Sequence, residues 1–307
     1  MILYFKNQNQ QLGKIKEIPF KLEKDIQRIF EVNLQTIMGF DLVKSEFSIK
    51  NKRIDSLAFD RQSAAFVIIE YKRDKNVSVV DQGFTYLSLM LENKADFIIE
   101  YNESLSQNLK RDDVDWSQTR VVFVSTGFTE NQIQATNFKD IAIELWEVKR
   151  FENEIVVITP IKKSPSAESV KPLTQQNQTL KKVSDEIEVV TEENHIEKGN
   201  EVVKELYSKY KSSILNLADG IELKPMKWYI SFKKNKAFTY LEIFRKSLKI
   251  TLPLKLGQLD DPKQFAKDVS NIGTRGYGDY QIQVDDDQNL EYIMSLVKQS
   301  LLISETK

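Results

Sequence analysis

The sequence predicts an α/β first domain with a central mixed sheet over residues 1–162, a linker over 163–200, and a small α+β domain over 201–307. Three observations carry this. Strand and helix patterns mix through the first block, with several strands bunched together. The stretch from Lys163 to Pro172 is rich in Pro, Ser and charge, and the chain after it, to residue 200, is rich in Gln, Lys and Glu, poor in aromatics, and reads as a linker with a partly helical second half. Beyond the linker the pattern runs helix, three strands, helix, strand, helix.

The elements follow in order. A hairpin-like start (Ile2–Phe5, Lys14–Ile18) leads to a helix at about 21–37. Strands are predicted at Lys44–Lys50, Ile54–Asp60 and Ala64–Lys72, then a helix at about 79–93. Further strands are predicted at Asp96–Glu100, Arg120–Ser125, Ile141–Val148 and Glu154–Thr159. In the second block, Glu201–Leu217 reads as a helix with Val203, Leu206, Tyr207, Tyr210 and Ile214 on one face. Strands are expected at Lys227–Phe232, Ala237–Phe244, Leu248–Leu254 and Tyr280–Val284. Asp261-Pro262 has the form of a helix start, and a last helix covers about 288–302.

Composition excludes several chemistries. The 307 residues include no cysteine, which removes disulfides, zinc-thiolate sites and thiol catalysis, and fits a cytoplasmic setting. The one histidine, His195, lies in the expected linker and reads as a solvated side chain; it leaves no His-cluster metal site. A net charge of −1 gives no bulk attraction to nucleic acid. No apolar run is long enough for a membrane helix, so a membrane partner is not expected. The opening Met-Ile-Leu-Tyr-Phe-Lys has neither a basic leader nor a small-residue cleavage site and reads as a strand.

The most informative stretch is Phe66-Val-Ile-Ile-Glu70-Tyr71-Lys72. Its apolar run suits a strand buried on both faces. Alternation then points Glu70 and Lys72 to one face and Tyr71 to the other. Charge at that position is costly unless paired or bound to a metal. Asp55, on the preceding strand, is brought near Glu70 by a turn at Arg61–Ser63. Two converging carboxylates suit Mg²⁺, which takes oxygen ligands and keeps waters. Lys72 beside them is placed to orient a water or offset charge on a phosphate. Gln82 and Tyr86, four apart, share a helix face. On the first helix, with Leu22, Ile26, Ile29, Phe30 and Ile37 as the apolar side, Glu23 falls roughly 60° from its centre and Glu31 roughly 140°, so Glu23 borders the sheet and Glu31 faces water. The competing reading is a solvated strand end with an Asp55–Lys72 ion pair.

Glu23, Asp55, Glu70-Tyr71-Lys72 and Gln82-Gly-Phe-Thr-Tyr86 together resemble the PD-(D/E)XK nucleases, especially their RecB-like branch, over about residues 20–100. Ile54 stands where many members have Pro. The resemblance implies a restriction-endonuclease-like fold and metal-dependent hydrolysis of phosphodiesters, in DNA rather than RNA, with restriction or phage defence as a setting. It implies Mg²⁺ (or Mn²⁺) held by Asp55, Glu70 and the Tyr71 carbonyl, a catalytic Lys72, and supporting roles for Glu23, Gln82 and Tyr86. The alternative expectation is a non-catalytic nucleic-acid-binding or partner-recruiting protein that keeps the nuclease fold.

The second block, through Lys224-Pro-Met-Lys-Trp-Tyr-Ile-Ser-Phe-Lys and Leu259-Asp-Asp-Pro-Lys with the segments after it, resembles a small bacterial C-terminal domain of unassigned function. Its expected roles are recognition, homodimer formation or recruitment of a partner protein. Gly273–Asp279 lacks a P-loop lysine and reads as an ordinary loop. The basic residues Lys233, Lys234, Lys236, Arg245, Lys246 and Lys249 among aromatics read as the solvated side of a half-buried sheet, with strand binding as the competing reading.

Overall fold

A computed structural model describes residues 2–73, 78–164, 166–174, 178–271 and 278–305. The chain forms two compact units, Met1–Val189 and Val190–Lys307. Among the described residues no helix is long and apolar enough to cross a membrane.

The first unit opens with a ribbon of β1 (Leu3–Lys6) and β2 (Leu12–Ile15). Then come α1 (Glu23–Val32), α2 (Leu34–Ile37), β3 (Asp41–Ile49), β4 (Lys52–Asp60), β5 (Ala65–Lys72), α3 (Val79–Glu92) and α4 (Lys94–Leu105). The unit continues with β6 (Arg120–Ser125), α5 (Glu130–Thr136), β7 (Ile143–Arg150), β8 (Val156–Ile161), α6 (Lys171–Thr174) and α7 (Gln178–Glu186). The six strands β3 to β8 form one mixed sheet in sequence order. β5, β6 and β7 run parallel, and the remaining neighbours are antiparallel. Helices cover both faces. Ile26, Phe30 and Leu34 pack with Val67, Ile69 and Tyr71 on one side. Phe84, Leu87, Met90 and Phe97 pack with Phe66, Ile68 and Phe123 on the other. Every residue from Ala65 to Ile69 is therefore closed to solvent, as the uninterrupted apolar run requires.

Arg120 secures the middle of this sheet. Its Nη2 lies 2.7 Å from Asp60 Oδ2, with both side chains buried. Removing Arg120 takes from the buried Asp60 carboxylate a cation, while donors such as Gln62 N, at 2.9 Å, remain. Arg120→Ala is expected to cost about 3–5 kcal/mol, measurable by urea unfolding. A loss under about 1 kcal/mol would mean that Asp60 is compensated by other groups.

Two expectations are corrected in this unit. Asp96–Glu100 lies inside α4, not in a strand. Phe97 and Tyr101, four apart, both face the core, a helical period that the short apolar window concealed. The expected linker is built into structure. Lys163 Nζ donates to the Ile141 carbonyl, Val170 N donates to Asp140 Oδ1 at 2.7 Å, and Val183 and Ile187 join the core. Its remainder belongs to the second unit.

That unit contains α8 (Glu192–Ile196), α9 (Glu201–Leu215), β9 (Glu222–Pro225), β10 (Ile230–Lys233), β11 (Ala237–Ile243), β12 (Leu248–Leu252), β13 (Lys267–Asp268), β14 (Tyr280–Val284) and α10 (Leu290–Glu305). The six strands make an antiparallel sheet in the order β13-β14-β12-β11-β10-β9. The α9 face expected from its spacing packs with Ile250, Ile282 and α10 residues Leu296 and Val297 in one core. His195 is fully buried, not solvated. Its Nε2 is 2.7 Å from the Met226 carbonyl, and burial pushes its pKa below the ordinary value. Asp261 starts no helix. Its carboxylate accepts from Tyr292 Oη at 2.6 Å and Ala266 N at 2.7 Å, which closes a turn instead. Lys233 and Lys234 pair with Glu222 and Glu305, and Phe232 and Phe238 are buried. The two lysines are partly solvated, as expected, but β11 is buried at every residue from Phe238 to Ile243, so the middle of the sheet is closed on both faces and not half-solvated. Most of Gly273–Asp279 lies outside the described residues.

Candidate active site

The acids meet where β4 and β5 part. The paired ladder ends at Ser56 and Ile69, and one step further Asp55 falls opposite Glu70. Beyond the ladder, side chains replace the missing carbonyls. Asp55 N donates to Glu70 Oε1 at 3.2 Å, and Tyr71 N donates to Asp55 Oδ2 at 3.0 Å. Each carboxylate thus grips the other's strand. The place is the carboxyl end of β5, where open α/β sheets commonly bind ligands.

Alternation along β5 behaves as expected. Tyr71 packs 5.8 Å from the Phe30 ring, and its hydroxyl lies 3.2 Å from Ser56 Oγ, which it can reach as donor while Ser56 donates to Glu31. Lys72 Nζ donates to Glu70 Oε2 at 3.2 Å, so its partner is Glu70 and not Asp55. From α3, Gln82 Nε2 donates to the same Glu70 oxygen at 3.1 Å and to Tyr86 Oη at 3.2 Å. Tyr86 Oη donates in turn to the Arg53 carbonyl at 3.4 Å, while its ring is core. Ser78 caps α3 by accepting from Asp81 N. Gly83 lets the helix lie close to the sheet, since a Cβ there would meet Ile143 Cγ1 at 2.9 Å.

Glu23 opens α1 and meets the end of β5. Its Oε1 accepts from Arg73 N at 3.0 Å. Glu31 does not face water. Its Oε1 accepts from Ser56 Oγ at 2.5 Å and Gln27 Nε2 at 2.9 Å. The reason is helix length. Leu22 lies outside α1 and is exposed, and Ile37 belongs to α2, so the buried stripe centres on Ile26, Gln27 and Phe30.

Two residues escaped sequence reasoning. Gln27 Nε2 donates to the Asp55 carbonyl at 2.9 Å and fixes that strand from above. Glu46 lies on β3 with φ +55°, a left-handed conformation that costs a non-glycine residue energy. It pairs with Arg53 at 3.0 Å and raises the Asp55 pKa. An irregularity within a nine-residue strand leaves no local signature.

Electrostatically the site is strained. Burial, first of all, raises the pKa of both Asp55 and Glu70. The Asp55 charge raises Glu70 further, and Lys72 lowers both in part. Burial and the Glu70 charge also raise the Tyr86 phenol. Gln82 Oε1 is buried and has no donor. The amide orientation is fixed, because turning it would aim this oxygen at the Glu70 carboxylate. An acceptor left over beside two repelling carboxylates fits a cation with its waters. Among the described residues no three Asp, Glu, His or Cys side chains converge, so such an ion would have two carboxylates, main-chain oxygen and water.

Gln82→Ala removes one Glu70 donor and the bracing of Tyr86. A roughly 10- to 100-fold loss of turnover is expected, the scale of outer-sphere ligand supports, with the acid limb of the pH–rate curve moved upward. An unmoved limb would assign Gln82 to packing alone.

Residues 192–302 match the family described as Domain of unknown function (DUF5655), in accord with the small domain of unassigned function expected from the second block. A repair endonuclease from Pyrococcus abyssi, known from a crystal structure, is a distant neighbour. The TM-score is 0.24 at 16% identity, covering 42% of this chain and 48% of that one, and a likeness of this size bears on neither fold nor activity. An "Uncharacterized protein" of Haemophilus influenzae is 52% identical over 297 residues, spanning 97% of this chain and 98% of that one. With that identity over nearly its whole length, the chain belongs to the family of this Haemophilus influenzae protein.

Proposed function

We propose that the first unit is a metal-dependent nuclease of the PD-(D/E)XK type, RecB-like in its residue pattern, that hydrolyses phosphodiesters, with DNA as the preferred substrate. The observation that carries this is the reciprocal clasp of Asp55 and Glu70, with Lys72 and Gln82 both donating to Glu70 Oε2. A mixed sheet covered by helices on both faces agrees with a restriction-endonuclease-like fold.

Asp55, Glu70 and the Tyr71 carbonyl would hold Mg²⁺ or Mn²⁺, which when bound supplies Lewis-acid polarisation of the phosphate and a more acidic water. Lys72 holds positive charge where the phosphate gains negative charge, and it orients the attacking water. Gln82 Oε1 is free to accept a hydrogen bond from that water. Tyr86 and Gln27 hold Gln82 and Asp55 in place. Glu23 fixes the end of β5 through Arg73 N.

The test is incubation of the purified chain with single-stranded and duplex DNA and with RNA, in Mg²⁺, Mn²⁺ or chelator. Metal-dependent cleavage of DNA is expected, lost in Asp55→Ala and Lys72→Ala. Cleavage that survives both substitutions would remove these residues from the mechanism.

A further inference from the structure

The β1–β2 ribbon carries a face that nothing in its own unit uses. Opposed residues share a side of the ribbon, so Tyr4 with Lys14 and Lys6 with Leu12 form one face, which Ile2 and Lys16 continue. Ile2, Tyr4 and Leu12 are each more than half exposed, and the three lysines are exposed. Among the described residues no carboxylate pairs with Lys6, Lys14 or Lys16. Residues 2–16 include no Asp or Glu, in a chain whose net charge is −1. The other face is closed: Ile15 is buried, and the Phe5 ring lies over Gly13, where a Cβ would run into it.

The tip is ordered and rich in amides. Asn7 closes the turn, its Oδ1 accepting from Asn9 N at 3.0 Å and from Gln11 N at 2.9 Å. Gln8, Asn9 and Gln10 are left exposed beyond it. A two-stranded ribbon is marginal alone, and this one is braced at its root. Ile18 N donates to the Arg150 carbonyl at 2.7 Å, and Glu152 N donates to the Lys16 carbonyl at 2.9 Å. Both contacts lie at the carboxyl end of β7, which runs parallel to β5 through β6. Glu70 is in register with Phe123 and Leu145, and Arg150 lies five residues past Leu145. The root therefore stands at the acids' end of the sheet, roughly 20 Å from Glu70.

Charge and size select the occupant. A second copy would set three lysines against three, and two ribbon faces of about 13 Å by 10 Å cover far less than the ~1,200 Å² of a stable interface. A polyanion fits. The major groove of B-form DNA is about 12 Å wide and admits a two-stranded ribbon, and Asn and Gln amides match adenine edges there. The major groove of an RNA duplex is too narrow to be read this way. We infer that the β1–β2 ribbon is a DNA-groove arm. Lys6, Lys14 and Lys16 hold phosphates of the duplex about six base pairs from the cleaved bond, and the tip amides meet base edges. The place of the cleaved bond rests on the nuclease reading above.

Full-length wild type and a Lys6→Gln/Lys14→Gln/Lys16→Gln variant are titrated by anisotropy against a fluorescein-labelled DNA duplex, in chelator and across a salt series. The variant should bind at least about tenfold more weakly, and its slope of log K against log salt should fall by about 2.7, since each phosphate contact on B-form DNA contributes about 0.9. Lys14→Gln alone changes one exposed side chain, leaves the fold intact and should remove about a third of that slope. Unchanged affinity and slope in both variants overturn the arm, as does a wild type that binds no duplex. An RNA duplex that loses as much affinity as DNA overturns the groove. Phosphatidylcholine–phosphatidylserine vesicles that retain wild type and not the triple variant, with DNA affinity unmoved, replace DNA by a membrane. A dimer lost in the triple variant, again with DNA affinity unmoved, replaces it by a second copy. The nuclease reading fails separately: wild type would then cleave nothing in Mg²⁺ or Mn²⁺, while lysine-dependent duplex binding persists.

Discussion

Asp55→Asn is expected to lower metal-dependent cleavage by roughly 10³-fold, the scale of losing a group that stabilises transition-state charge, while making the stability of the metal-free protein less sensitive to a rise in pH above the ordinary carboxylate range. The amide oxygen can still accept from Tyr71 N, so the clasp on β5 survives. What is lost is a charge. In the folded chain the Asp55 and Glu70 pKa values lie above their ordinary 3.8 and 4.5, chiefly through burial. Folding therefore favours the protonated forms. Stability from this source is fully present below the ordinary values and is lost as pH rises through the folded ones. Metal-free wild type should accordingly lose melting temperature relative to Asp55→Asn as pH rises from 4 to 8. Mg²⁺ should restore the difference, because a ligand at 100 times its Kd adds about 2.7 kcal/mol. Both the pH effect and the Mg²⁺ effect should shrink in Asp55→Asn. Melting curves at the two pH values, with and without Mg²⁺, decide this. Equal Mg²⁺ shifts in wild type and variant would place the ion elsewhere.

The parts of this site that local periodicity governs were legible in the sequence. Glu70 and Lys72 share a face because strand side chains alternate, and Gln82 and Tyr86 share one because they lie a helical turn apart. A hairpin between β4 and β5 then brings Asp55 opposite Glu70. Features that depend on where elements stop were not legible. Glu31 was turned to water only because Leu22 and Ile37 were counted into a helix that excludes both. The left-handed Glu46 and the Gln27 bond to the Asp55 carbonyl arise from tertiary packing. Composition misled at 163–200. Polar, Pro-containing chain there docks through a few anchors: Lys163, and the apolar face of a short helix carrying Val183 and Ile187, four apart. At Asp261-Pro262 a helix-start signal was spent on a turn, because Tyr292 and Ala266 offered the carboxylate better donors than a first helical turn would.

Lys72→Ala should lower turnover by about 10²–10⁴-fold, the range for loss of a positioned proton-transfer group, with little change in the affinity for substrate. The split follows from where Lys72 sits. Its ammonium is mostly buried and bonded to Glu70, so it reaches the reacting phosphate and little of the strand beyond. It also lowers the pKa of both acids. Its removal should therefore move the acid limb of the pH–rate curve upward as well as depress the plateau, since each carboxylate must ionise without its nearest cation. Lys72→Arg keeps the charge and should keep the limb near its wild-type position. It should still turn over slowly, because a planar fork cannot take the place of a compact ammonium at 3.2 Å from Glu70. Single-turnover rates across pH, with Kd measured separately, distinguish the outcomes. A raised Kd with an unchanged plateau would make Lys72 a phosphate-binding residue and leave the water to be oriented by Gln82, whose buried Oε1 has no donor.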